Sequence, residues 1–250
     1  MASNNVFMPL VKHELKWRGN VKKNRRRMPR AWRLTYFAFF IILVLVFTTY
    51  ASLNGHIHMD GTWYFTWGLP FVIFGISIGR VNREWQNETI GWWLTLPYSR
   101  RQLITTKFVA SLLMSLMICA GIFILVTLFG LYVMLLNGGS FRSLAGPFFL
   151  SGLKWFLLLI SLSPFAASFG TFMGTLSHTK AKPALPLLWV GLWAMFPLVS
   201  MNSSTINFFN ERNIGFPFTE LILLPILISW ILTYILVRLS AYLLDRHLTL

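Results

Sequence analysis

Charge is scarce in this chain. Only 12% of its 250 residues are Asp, Glu, Lys or Arg, about half of what a soluble domain carries. Apolar residues make up 56% and mean hydropathy is +0.62, so a soluble globular domain is excluded and an integral membrane protein is implied. Cysteine is nearly absent as well. Cys119 alone, inside an apolar run, excludes an intrachain disulfide framework and reads as a buried structural thiol. No G-x-x-x-x-G-K-[ST] stretch occurs, so the chain has no loop of its own to cradle nucleotide phosphates. No repeat or low-complexity linker divides it, and the apolar runs are almost free of His, Asp and Glu. A membrane-embedded protease or lipid transferase needs such groups in pairs. A secondary transporter or channel, the stronger rival reading, normally carries intramembrane ionisable residues.

Six apolar runs are present, near 34–53, 63–80, 104–136, 147–176, 184–202 and 218–240. Each is of the order of the about 20 residues that cross a bilayer. The third and fourth exceed one crossing and are expected to tilt or to extend beyond the hydrocarbon. The second is short and contains Gly68, Pro70, Gly75 and Gly79, which neighbouring helices can accommodate. The expected fold is therefore all-α: a segment 1–33 followed by a six-helix transmembrane domain, 34–250.

The cations orient it. Ten lie in 1–33, five around the second connection (Arg80, Arg83, Arg100, Arg101, Lys107), two at Lys180 and Lys182, and two at Arg238 and Arg246. Only Arg142, Lys154 and Arg212 fall on the opposite side. The positive-inside rule then places both termini in the cytoplasm of a cell (plasma) membrane protein. The length of the charged leader before residue 34 argues against a cleaved signal peptide.

In Val6–Trp17, the apolar residues Val6, Phe7, Leu10, Val11 and Leu15 recur at helical spacing, with Lys12, Lys16 and Arg18 toward the other side. This suits an amphipathic helix lying on the inner leaflet. The following cluster, Lys22, Lys23, Arg25, Arg26 and Arg27, has anionic headgroups as its natural partner. No aromatic platform accompanies it, so nucleic acid is not an expected partner.

The polar, Trp-rich stretch Glu84–Arg101 is long for a connection between two membrane helices. Residues 82–96 have helix-compatible composition, and Pro97 is expected to end that helix. On such a helix Glu84 and Glu88, at i and i+4, share one face. Ser99 and Gln102 then read as a capping box, with Tyr98 and Leu103 placed for a hydrophobic staple. Trp85, Trp92 and Trp93 suit the headgroup layer.

In order along the chain, Glu84, Glu88, Thr89, Gly91, Leu94, Thr95, Leu96, Pro97, Ser99, Arg100, Arg101, Gln102 and Lys107 resemble the permease subunits of ABC-2 type transporters. Tyr98 and the Trp92-Trp93 pair are bulkier than that pattern. The resemblance implies a cytosolic coupling helix between the second and third membrane helices, seated in a groove of a separate ATP-binding cassette subunit. Glu84, Glu88, Gly91, Leu96, Pro97, Ser99, Arg100 and Arg101 would carry the coupling. It also implies a second permease copy or homologue, with ATP and Mg bound at the partner subunit and no cofactor on this chain. Export is the expected direction, and the apolar, aromatic-rich spans suit a hydrophobic or amphipathic cargo such as a drug, an antimicrobial peptide or a lipid.

Glu220, at the outer start of the last span, is a candidate transport residue, although a carboxylate there also complements the helix dipole. His56, His58 and Asp60 have chelating spacing but sit in a short loop where solvation is the ordinary state, so no metal is expected. His178 reads as a surface residue. Segment Ser204–Phe218 is expected to fold back on the outer leaflet.

Overall fold

The computed structural model describes residues 7–16, 29–53, 63, 66, 68–89, 91, 95, 97–136, 141–190 and 223–246. Its main helices are α1 (Phe7–Leu15), α2 (Arg30–Leu53), α3 (Leu69–Gln86), α4 (Arg100–Leu136), α5 (Phe141–Leu176) and α6 (Leu223–Arg246). Among the described residues no strand occurs, and four helices (α2, α4, α5 and α6) are long and apolar enough to cross a membrane. The expected second span corresponds to α3, which starts and ends about six residues later. Its polar last turns, with Arg80, Arg83 and Glu84, keep it out of that set. The expected fifth span begins as a helix over 185–190, and the rest of it lies outside the described residues. At 37 residues, α4 is about 55 Å long, against a hydrocarbon core of about 30 Å.

The described residues form two compact units, one within 1–17, 68–119 and 157–250, the other within 18–67 and 120–156. In the first, α3 and α5 pack backbone to backbone. The buried side of α3 is Leu69, Ile73, Ser77, Arg80 and Val81, spaced at one helical face. It meets Gly170 and Gly174 of α5, where a Cβ would run into the Phe74 carbonyl, Ser77 and Val81. Small residues four apart are the usual device for close approach of membrane helices. Pro164 lies inside α5 and leaves the Ile160 carbonyl without its helical donor. The Ser163 hydroxyl donates to that carbonyl at 2.7 Å, so α5 continues through the proline.

In the second unit aromatic rings do the packing. Trp63 stacks on Phe123 and Phe148 with ring centres 5.3 and 5.1 Å apart, and its indole N–H donates to the Phe148 carbonyl at 3.2 Å. Gly152 leaves room for the Trp63 ring. The Trp155 indole donates to the Thr66 hydroxyl at 2.6 Å, and a hydrogen bond of 2.9 Å joins Thr49 to Tyr132.

Candidate functional site

The chain contains seven acidic residues, and two of them converge on one lysine. Lys107 sits two turns into α4 and is 1% exposed. Its ammonium lies 2.8 Å from Glu14 Oε1 of α1 and 2.7 Å from Glu84 Oε1 of α3. Burying a single ammonium would cost several kcal/mol; two carboxylates, each partly reached by solvent, offset it. Glu84 uses its other oxygen to accept the Thr89 hydroxyl at 2.6 Å. Burial pushes the Glu84 pKa up, but the charge and hydrogen bond of Lys107, helped by Thr89, outweigh it and hold the carboxyl below its ordinary value. Arg80, one turn before Glu84, is also buried. It donates to the backbone carbonyl of Glu14, and from Nη2 to the Met114 thioether at 2.8 Å. Three helices are thus tied together by charge at one place.

The local sequence explains how Glu84 reaches that point. Helix α3 ends in a Schellman motif: the Glu88 N–H donates to the Trp85 carbonyl at 3.1 Å and the Thr89 N–H to the Glu84 carbonyl at 2.9 Å. Glu88 takes the left-handed conformation the motif requires, with φ of 59°, where glycine is the usual occupant. The helix expected over 82–96 is therefore interrupted at 87–89. Glu84 and Glu88 do not share a helix face: Glu84 turns to Lys107, while Glu88 is exposed past the helix end. Helix-compatible composition did not reveal the stop because it carries no glycine or proline. Beyond the stop, Gly91 and Thr95 are helical and Pro97 lies in a bend.

The start of α4 carries the Ser99 half of the expected capping box. Ser99 Oγ accepts the Gln102 N–H at 3.3 Å, and Tyr98 packs against a buried cluster of Leu103, Ile104 and Leu244, together with Trp85 and Val237. The two ends of the polar connection are thereby held on one apolar base. Arg100 and Arg101 open α4. His178 is not a plain surface residue. Its ring stacks on Trp85, with centres 4.1 Å apart and planes 10° apart, and its Nε2 lies 3.1 Å from Asn82 Oδ1. Desolvation, then the charge of Lys182, lowers its pKa.

On α1, Val11 is buried and Phe7, Leu10 and Leu15 are half-buried, while Lys12 and Lys16 are exposed, as the helical spacing implies. Glu14 falls on the inward side, a feature the apolar periodicity passed over. The signal was there: Glu14 lies three residues after Val11 and four after Leu10, so it shares their face. Leu96, Glu220, the cluster Lys22, Lys23, Arg25, Arg26 and Arg27, the Trp92-Trp93 pair, the His56–Asp60 loop and segment 204–218 lie outside the described residues.

A family model for ABC-2 family transporter proteins matches residues 41–222, nearly three quarters of the sequence. The chain belongs to the ABC-2 transporter family. It is accordingly a membrane transport protein. The matched region contains Arg80, Glu84, the Schellman stop and Lys107, whereas Glu14 lies outside it. No curated protein and no solved structure matches the chain.

Proposed function

We propose that this chain is the permease subunit of an ABC exporter, driven by a separate ATP-binding cassette subunit that holds ATP and Mg, and paired with a second permease copy or homologue. The observation that carries the reading is the ion cluster of Lys107 with Glu84 and Glu14. It ties the start of the polar connection to α4 and α1, so a displacement of the connection is passed to a membrane helix instead of being lost in a slack loop. Coupling requires such a linked element with two arrangements, biased by a partner. Glu84 is a positioning residue in this scheme. Exposed Glu88, Gly91 and Pro97, with Leu96, form the docking face; capped Ser99, with Arg100 and Arg101, begins the helix that moves.

The cation distribution supports six crossings in the plasma membrane with both termini cytoplasmic. It also supports Lys22–Arg27 resting on anionic headgroups. The apolar spans favour a hydrophobic or amphipathic cargo, and Glu220 is the carboxylate to test along its route.

The test separates docking from transmission. Glu88→Lys should weaken co-purification of the ATPase subunit, whereas Glu84→Gln should leave co-purification intact and lower flux per ATP hydrolysed in reconstituted vesicles. Wild-type assembly and flux in both variants would sink the proposal.

A further inference from the structure

A second basic place lies where the last turns of α6 face the start of α4. A cleft of about 910 Å³ is lined there by Arg100, Arg101, Tyr234, Arg238, Tyr242 and Asp245, among others. Three guanidinium groups against one carboxylate leave it strongly positive. Arg238 lies over the Tyr234 ring, 5.0 Å from its centre, and donates to the Tyr234 hydroxyl at 2.5 Å. Arg246 lies over Tyr242 at 5.6 Å. Such contacts hold the cations in place at the helix surface. Above the cleft, the same face of α6 exposes Leu227, Ile228, Ile231 and Ile235. A charged recess continuous with an exposed apolar strip matches a molecule with an anionic head and hydrocarbon tails. A soluble anion would use the recess and leave the strip bare, whereas an acidic protein surface would gain nothing from a strip that runs into the span.

We propose that the Arg100–Arg101–Arg238 cleft binds the headgroup of an anionic phospholipid, with the acyl chains laid along α6. Basic recesses between membrane helices on the cytoplasmic side are suited to such headgroups, and the positive-inside count places the end of α6 on that side. Arg238 lies beyond the family-matched residues 41–222. The inference does not depend on the coupling scheme, because lipid retention is measured without ATP or cargo.

The experiment uses the purified full chain in mild detergent, with Lys22, Lys23, Arg25, Arg26 and Arg27 changed to Gln to silence the other basic patch. Native mass spectrometry reads retained phosphatidylglycerol beside phosphatidylcholine. Phosphatidylglycerol should be retained preferentially, and Arg238→Gln should lower its retention about fivefold, the weight of one surface cation. Arg238→Lys should keep most of it. Should Arg238→Gln fail to fold, Arg101→Gln, at an exposed position, makes the same test. Equal retention of the two lipids, or unchanged retention in both Gln variants, overturns the proposal. Displacement of the lipid by millimolar inorganic phosphate would overturn it in favour of a free-anion site. Loss of ATPase co-purification with lipid retention unchanged would overturn it in favour of a protein partner.

Discussion

The two units share ring stacking, which the first also has at Phe74–Phe169 and Trp85–His178, and differ in that the first adds a buried ion cluster. Around Trp63 the second unit is held by ring stacking and by indole N–H groups donated to a carbonyl and a hydroxyl. Around Lys107 the first unit is held by opposite charges from three helices. Aromatic packing is close-fitting and tolerates few rearrangements. A buried ion cluster has alternatives, because each partner can be re-satisfied by solvent or by another charge once it moves. The difference teaches where motion is to be sought: at the exchangeable pairs around Lys107 and not at the ring stack around Trp63.

The sharpest way to break this comparison is to remove one centre at a time. Trp63→Ala should cost about 3 kcal/mol of stability, the lower end for deleting an aromatic side chain because the ring is half-buried. It should lower protein yield and thermal stability in detergent, while the molecules that remain folded keep the wild-type ratio of flux to ATP turnover. A changed ratio would mean that the aromatic unit takes part in coupling.

Lys107→Met comes next. It leaves Glu14 and Glu84 facing an apolar side chain. Both carboxylates are partly solvated, so the loss should lie near the lower end for breaking buried pairs, about 3 kcal/mol. Its distinguishing readout is coupling: hydrolysis by the assembled complex should persist while flux falls. The triple variant Lys107→Met, Glu14→Gln, Glu84→Gln should regain stability without regaining flux, since it removes the unpaired charges but not the need for the link. Flux restored along with stability would make the cluster purely structural.

Much of this was legible in the residues, and the exceptions have physical causes. The all-helical membrane architecture followed from hydropathy, and the start of α4 from local chemistry, because the cap that Ser99 supplies to the Gln102 N–H is made within four residues. The end of α3 was not legible. Its stop is a Schellman motif built on Glu88, a residue chosen against its backbone preference, so composition pointed to a helix running on. Glu14 was hidden for another reason. An acidic residue on a short amphipathic helix is ordinarily solvated, and only tertiary packing brings it to Lys107, 93 residues away. The same holds for His178, whose partners Trp85 and Asn82 lie nearly a hundred residues earlier.

The stop itself offers a smaller test with the opposite sign. A non-glycine residue in the left-handed region costs about 1 kcal/mol, so Glu88→Gly should stabilise the end of α3 by about that amount. Glu88→Ala keeps the backbone cost and removes the carboxylate. If Glu88 is there for docking, both variants should weaken ATPase association equally, although only the Gly variant melts at a higher temperature. If association follows melting temperature instead, Glu88 matters through the turn and not through its charge.

The smallest expected effect is acid sensitivity confined to the ionic unit. Desolvation and Lys182 lower the pKa of His178, so the folded state disfavours the imidazolium and the unfolded chain takes up the proton first. Stability is then fully present above the ordinary histidine value of about 6.5 and falls as pH drops from there toward the lowered folded value. Glu84 acts in the same direction in a lower window. Its folded pKa is also depressed, so its contribution holds above the ordinary carboxylate value and is lost as pH falls through the folded one. Thermal unfolding in detergent between pH 7.5 and pH 5.5 should therefore show a modest decline for the wild type, a shallower one for His178→Gln, and no change in slope for Glu84→Gln. The decline should be small because the His178 ring is only half-buried and its stack on Trp85 does not require a particular protonation state. Trp63→Ala should shift the whole curve down without altering its slope, since no titrating group takes part in that ring stack. A steeper pH dependence in Trp63→Ala would mean that the aromatic unit also depends on the charge cluster, and the division between a holding unit and a transmitting unit would fail.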